Sequence, residues 1–510
     1  MVEYNGYNYA NYVRESNNSM SEIDREHHLS EKHHMKILWE EFFKSDNNTM
    51  AQDATLVEKT SIVGRVGIML LSCGTGAWRV RDSMDTVART LGITCSTDIG
   101  LVSIEYTCFD VDNESYSQTL SLPATGVNMT KLNEMEKFVR QFEKGHGEWT
   151  IGQIHKRLRE ISQQKSAYSP LISGLSSGLA CGGFIFLLGG GLPEVICAFL
   201  GAACGQYIRA IMGKHRLTLV AKIAVAVAIA CSVYFMSFHV GEILFHINHD
   251  HAYGYIGAML FVIPGFPFIT SGLDMSKLDM RSGLERLTYA ILIIVIATMA
   301  GWAVATILRL HPGSMPKLKI DPGTLTCLRL LASFCGVFGF SIMFNSRPQM
   351  AATAAVMGAM ANTLRLSLVD YAQVAPALAA FIGALTAGLL ASIVRKKVGF
   401  PRIAITVPSI VIMVPGLYMY RAVFNFGITN INIGAYWIVE ALMIVVALPL
   451  GLLAARILTD KKWRHTEYNN YIEEDDKNEY IVRNCWLCSC HDRCLCCYGI
   501  SNCQVNKAKK

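Results

Sequence analysis

Apolar and polar positions divide this chain into three regimes. Residues 1–169 mix charged, histidine-rich stretches with apolar positions at regular spacing, residues 171–459 are a series of hydrophobic runs with short polar interruptions, and residues 460–510 are polar and cysteine-rich. A helix needs about 20 apolar residues to cross a bilayer. By that measure the middle regime holds about ten spans: 171–190, 192–212, 217–238, 252–273, 287–308, 324–344, 348–364, 374–394, 403–424 and 433–458. The seventh is the shortest and is built from small residues, so its pattern is the weakest.

The front regime reads differently. Leu56, Val63, Val66, Leu70 and Leu71 recur at helical spacing, as do Val80, Met84, Val87 and Leu91, and Cys73-Gly74-Thr75-Gly76 joins the two runs. β-like segments at 100–109 and 116–122 follow, separated by the turn-forming residues 110–113, and helical spacing returns at 133–141 and 151–164. The expected organisation is a disordered tail (1–53), a small α+β domain (54–168), a first membrane half (169–309), an external linker (310–323), a second membrane half (324–460) and a tail (461–510). The fold class is therefore an all-α polytopic membrane protein carrying a small cytoplasmic α+β domain.

Composition agrees: 52% of the 510 residues are hydrophobic and 17% charged, with mean hydropathy +0.31, too apolar for a soluble chain of this length. The net charge of +6 is explained by Lys and Arg retained on one membrane face, which leaves no case for nucleic-acid binding. Met1 to Ala10 lacks the basic and apolar regions of a signal peptide, so the front domain is expected to stay in the cytoplasm. The connections then predicted to be internal (213–216, 275–286, 345–347, 395–402, 461–464) are all basic, so both termini are expected on the cytoplasmic side of the cell membrane.

The membrane part repeats itself. Val262-Ile-Pro264-Gly265-Phe266 is echoed by Met413-Val-Pro415-Gly416-Leu417, and the segment containing Pro193 by the one containing Pro348. Each half holds about five spans, an odd number, so the second is expected upside down relative to the first, as inverted repeats are in secondary transporters. Proline removes a backbone donor and the glycine beside it favours local unwinding. Matching breaks in two halves point to a binding site near the midplane, although a plain packing kink has the same signature.

Val262-Ile-Pro-Gly-Phe-Pro267-Phe-Ile-Thr-Ser-Gly-Leu-Asp274, the segment from Gly339 through Asn345 to Pro348, Val414-Pro-Gly-x-x-x-Tyr420-Arg421 and Gly74-x-Gly76-x-x-Arg79 together resemble the bacterial threonine/serine exporter family, over roughly residues 61–458. The resemblance implies a cytoplasmic front domain, ten spans and proton-driven export of threonine and serine. Some two-chain relatives are associated with dicarboxylate efflux.

Ionisable groups inside a membrane are candidates for function because each costs ~2.5–3.5 kcal/mol on insertion scales. Asp274 is placed to accept a substrate ammonium or a proton, or else to serve as a helix-end charge. Arg421 is placed to pair with Asp274, to hold a carboxylate or to anchor at the interface. Glu194 and Glu440 are candidates for a proton relay, and Asn345 with Pro348 for an anion at a helix start. Cys485, Cys488, Cys490, His491 and Cys494 in the tail have spacing that suits zinc, with free or lipidated thiols as the alternative. No cofactor is otherwise required. The partners expected are a small amino acid, protons and the bilayer, with a homo-oligomer as an option. A membrane-anchored hydrolase using Ser72, Asp82, His146 or His155 is the competing class, although no nucleophile motif surrounds Ser72.

Overall fold

The computed structural model describes residues 48–145, 148–164, 166–245, 254–309, 320–460 and 464. The two tails, with their cysteine cluster, the histidines 246, 249 and 251, and most of the 310–323 linker lie outside these residues. Through Ala455 the chain folds as one compact unit, and Arg456 begins a second, of which the end of the last helix and Arg464 are described.

The front segment opens with α1 (Leu56–Ser72) and α2 (Ala77–Thr90), continues as β1 (Thr94–Ile99), β2 (Ser103–Phe109) and β3 (Ser115–Ser121), and closes with α3 (Met129–Lys144) and α4 (Ile151–Ser162). Thr55 with Glu58 and Thr150 with Gln153 form capping boxes that start α1 and α4. The strands form an antiparallel meander. Only two strand-like runs are expected from sequence; β1 escapes because Thr94-Cys95-Ser96-Thr97-Asp98-Ile99 is polar, and only its inward-facing alternation identifies it. The inward face of the sheet packs on α2 through β1 and on α1 through β2 and β3, where Tyr106 Oη of β2 donates to the Thr60 carbonyl at 3.2 Å.

The membrane part contains α5 (Pro170–Leu187), α6 (Leu192–Lys214), α7 (Leu219–Phe245), α8 (Tyr255–Met259) continued by a 3-10 turn (Leu260–Val262), α9 (Gly265–Met275) and α10 (Met280–Ile307). The same order recurs as α11 (Pro322–Met343), α12 (Pro348–Asp370), α13 (Pro376–Val398), α14 (Arg402–Val411), α15 (Gly416–Gly427) and α16 (Ile431–Thr459). Eight of the described helices are long and apolar enough to cross a membrane, or ten spans if each bent pair counts as one. The fold is thus an all-α polytopic membrane protein with a small front sheet. The seventh span, weak in sequence, is α12, 23 residues long. Asn362 interrupts its hydropathy but is buried, and its amide nitrogen donates to Ser333 Oγ of α11 at 2.9 Å inside the protein.

The first helices of the two halves pack closely. A Cβ on Gly339 of α11 would lie 2.4 Å from the Ser176 carbonyl of α5, and one on Gly183 of α5 would lie 2.6 Å from the Ala332 carbonyl of α11. Small residues let the backbones meet, the usual basis of helix association in lipid.

His155 of α4 is buried and its Nδ1 lies 2.8 Å from Arg65 Nη1 of α1. Burial first, then the Arg65 and Arg159 cations, push its pKa down from the ordinary 6.5 to about 3. The ring is therefore neutral, and Nδ1 accepts from the guanidinium. Unfolded, the same histidine takes up a proton as pH falls through 6.5; folded, it resists until about 3. Its contribution is complete above that window and is lost as pH drops through it, by about 1 kcal/mol per unit. Thermal unfolding of the full chain should show lower stability at pH 5 than at pH 7, and His155→Gln should flatten that dependence. An equal slope in the variant would remove His155 as its source.

Candidate functional site

Two places concentrate the sequence-marked residues: the paired breaks in the membrane, and the surface on which the front segment docks.

At the first break Pro264 has φ −82° and ψ 59°, and at the second Pro415 has φ −82° and ψ 54°. In each the amide after proline donates to the carbonyl before it, Gly265 N to Ile263 O at 2.8 Å and Gly416 N to Val414 O at 2.9 Å. These are inverse γ-turns, which satisfy one backbone donor while ending helical pairing. The helices bend by 50° at the first and 53° at the second. The turns pack on each other reciprocally: a Cβ on Gly265 would meet Val414 and Val411 at 3.1 and 3.2 Å, and one on Gly416 would meet Leu260 and Ile263 at 3.0 and 3.1 Å. Just beyond them, Tyr255 and Tyr420 join across the halves with Oη atoms 2.9 Å apart, both buried. Phe266 packs edge-on against Phe344 at 5.4 Å between ring centroids, and Pro267 follows inside α9. Arg365 Nη1 donates to the Met413 carbonyl at 3.2 Å, next to the second break.

Glu194 sits in the first turn of α6 with no exposed surface. Tyr234 of α7 and Gly254 are beside it: a Cβ on Gly254 would lie 2.1 Å from Tyr234 Oη and 3.2 Å from Glu194 Cγ. The structure therefore gathers Glu194, Tyr234 and the start of the broken span that carries Tyr255. Glu440 is half-buried on α16, and it and Arg421 both lie within electrostatic reach of Tyr418.

Asp274, at the far end of α9, is buried and fully engaged. Its Oδ1 accepts from the Ala77 amide at 3.0 Å; its Oδ2 accepts from Ser282 Oγ at 3.0 Å and pairs with Arg286 Nε at 3.1 Å. Arg286 in turn donates to the Thr75 carbonyl at 2.8 Å. A pairing of Asp274 with Arg421 is thus corrected: the partner is Arg286, and Arg421 lies over the Trp437 ring at 4.8 Å. The contact explains the Gly74-x-Gly76-x-x-Arg79 motif. Gly74 has φ +82°, where L side chains are strained, and a Cβ on Gly76 would stand 2.6 Å from Asp274 Oδ1. Arg79 forms an ion pair with Glu136 of α3. Ala77 opens α2, so the carboxylate meets the positive end of that helix.

A second dock uses the other half. The carbonyls of Phe344 and Asn345, at the end of α11, accept from the Met129 and Thr130 amides that open α3, at 3.0 and 3.2 Å. The Asn345 side chain accepts from the Ala167 amide at 2.9 Å and donates to Asn128 Oδ1 at 2.9 Å. Arg347 reaches Glu134 at 3.0 Å, and Pro348 begins α12. Asn345 therefore holds the front segment instead of presenting a free helix start. Arg281 of α10 pairs with Asp98 and Glu105, two carboxylates directly opposite each other on β1 and β2. The front segment is thereby bonded to both membrane halves. Sequence reasoning missed Arg286, whose burial is hidden because it reads as one of several loop cations, and Tyr255, which no repeat signal marks. Ser72 donates to the Met69 carbonyl and His155 is held by Arg65, so the two are engaged separately. Among the described residues no group of three or more His, Cys, Asp or Glu is placed to hold a metal.

Removing Arg286 should be costly because it strands a buried carboxylate, ~3–5 kcal/mol. Arg286→Met is expected to lower the unfolding temperature strongly, and Asp274→Asn with Arg286→Met to recover part of the loss. Additive effects in that double-mutant cycle would show that the two groups are not coupled.

Residues 61–309 match a family described as "Putative threonine/serine exporter", and residues 329–458 match one described as "Threonine/Serine exporter". The chain is 21% identical to the "Threonine/serine exporter" of Corynebacterium glutamicum over 82% of this chain and 86% of that one. It is 22% identical to the "Probable threonine/serine exporter" of Mycobacterium tuberculosis over 77% of this chain and 75% of that one. It is 24% identical to the "Probable succinate transporter subunit YjjP" of Escherichia coli (strain K12) over 48% of this chain and 93% of that one. No solved structure matches it. With family matches on both halves, and the family's Pro-Gly and Gly-x-Gly motifs accounted for by the two breaks and the front dock, the chain belongs to the threonine/serine exporter family.

Proposed function

We propose that this protein is a secondary-active exporter of small amino acids, threonine and serine foremost, driven by protons and working by alternating access between two inverted halves. The observation that carries this reading is the pair of matching γ-turn breaks packed against each other where the halves meet. Five spans precede the second set of five, an odd number, so insertion in one continuous pass turns the second set over. In lipid a broken helix is tolerated only where protein, water or solute satisfies the backbone. Two such breaks back to back supply carbonyls and amides to a polar solute at mid-depth.

In this reading Pro264, Gly265, Phe266, Pro267, Pro415 and Gly416 shape the path, and the Tyr255–Tyr420 bridge closes or lines it. Glu194, withdrawn from water beside Tyr234, carries the coupled proton, and Glu440 is the corresponding candidate in the second half. The front segment and both termini lie, in this reading, on the cytoplasmic side of the plasma membrane, which the basic connections support. Asp274 is reserved for the docked loop, so a substrate ammonium would reach it only after Ala77 withdraws.

The E. coli relative, named for succinate, makes dicarboxylates the competing substrate class. Proteoliposomes loaded with labelled serine, threonine or succinate should release the two amino acids and retain succinate, faster when a proton gradient is imposed. Release of succinate alone would reverse the substrate assignment, and release of none would end the exporter reading. Glu194→Gln is expected to abolish the acceleration by the gradient while leaving exchange of serine for serine. Tyr420→Phe, which deletes one buried hydroxyl bond worth ~0.5–1.5 kcal/mol, should slow transport by roughly two- to tenfold.

A further inference from the structure

The front sheet holds a pair of thiols that transport does not use. Cys95 on β1 and Cys108 on β2 stand directly opposite each other in antiparallel register. Two separate hydrogen bonds fix which kind of pair they are. Gly100 N donates to the Ser103 carbonyl at 2.8 Å, so the pair that closes the hairpin is hydrogen-bonded. Bonded and non-bonded pairs alternate along such a ladder, and counting back from Gly100 through Ile99, Asp98, Thr97 and Ser96 makes Cys95–Cys108 a non-bonded pair. On the other side of β2, Asp110 N donates to the Glu114 carbonyl at 3.1 Å, and the same alternation turns the Cys108 backbone toward Tyr116 of β3. The two determinations agree.

Non-bonded pairs bring the Cα atoms to about 4.5 Å and the side chains closer still, within the ~4.4–6.8 Å over which a disulfide reaches. Both cysteines point to the inward face, in line with Thr97 and Ile99 on one strand and Ile104 and Tyr106 on the other. Each thiol perturbs the ionisation of the other. Cys108 is fully buried, whereas Cys95 keeps part of its surface open. One thiol can therefore be approached from water, and the other can be reached only by its neighbour.

We propose that Cys95 and Cys108 form a reversible dithiol–disulfide site that exchanges with small soluble disulfides. The Cys95 sulfur, as thiolate, attacks one sulfur of the small disulfide; that S–S bond breaks and a small thiolate leaves, taking up the proton given by Cys95. The resulting mixed disulfide is attacked by Cys108, which gives up its proton, forms the Cys95–Cys108 bond and expels the second small thiol. Two protein thiols are oxidised by two electrons, and one small disulfide is reduced to two thiols. The neighbouring thiols pull their ionisations apart, Cys95 up and Cys108 down, so the resting pair opposes ionisation at Cys95 and the first step, which needs the Cys95 thiolate, is the slow one. Asp85, which faces both, opposes ionisation.

The location gives the site a consequence. The hairpin that carries these thiols also carries Asp98 and Glu105, which hold Arg281, and the Leu101 amide, which donates to Glu285 of α10 at 2.6 Å. A bond across the hairpin fixes the strands that grip the first membrane half.

The test uses the full-length protein in detergent, equilibrated with mixtures of oxidised and reduced glutathione, then acid-quenched, alkylated and mapped by peptide mass. The peptides containing Cys95 and Cys108 should become joined, lighter by two hydrogens, and separate again on reduction. Cys108→Ser should trap glutathione on Cys95, and Cys95→Ser should leave Cys108 unmodified. If the unsubstituted chain keeps both cysteines alkylatable in oxidised buffer, or holds glutathione on Cys95 without resolving it, the proposal is wrong. That arm decides the question by itself should either variant fail to fold.

Discussion

A carboxylate removed from water must be given donors, and Asp274 obtains them from both sides of a boundary. Ser282 and Arg286 come from the helix that follows it, and the Ala77 amide comes from the front segment. None of these donors suffices alone, because the cost of a buried charge is recovered only when its geometry is complete. The loop of Gly74, Thr75 and Gly76, the entry of α2 and the turn between α9 and α10 are therefore mutually determined. The second dock follows the same logic with neutral groups: the open amides at the start of α3 meet the open carbonyls at the end of α11, each terminus supplying what the other lacks.

Much of this was legible in the sequence because lipid imposes a length and a composition on every span. The Pro-Gly pairs stood out because they recur at matching places in the two halves, whereas one helix breaker in an apolar run reads as readily as a packing kink. Partner identity was not legible. Asp274 and Arg286 are twelve residues apart, and both look like interfacial charges until a third element, nearly two hundred residues earlier, is laid over them. β1 was missed for a related reason. Its outward residues are polar because they face water or Arg281, and of its inward residues Cys95, Thr97 and Ile99 only the last is a large apolar side chain, too little for an apolar signal.

The two breaks have nearly the same backbone angles although their flanking side chains differ, Phe266 after one and Leu417 after the other. Geometry is repeated more closely than chemistry. What the halves share is set by proline and glycine, which act on the backbone, and what distinguishes them is left to residues such as Glu194, for which the start of α12 offers no carboxylate.

The dock at Asn345 also bears on biosynthesis. Its front-segment partners, Asn128, Thr130 and Ala167, are made long before it, separated by the whole first membrane half. A ribosome has finished the front segment and six spans before the segment can be seated on both sides, so this contact closes late and at a high loop-closure cost. If the halves were divided between two chains, the same bonds would join separate polypeptides. The groups that here complete one molecule would then decide whether two newly made subunits recognise each other.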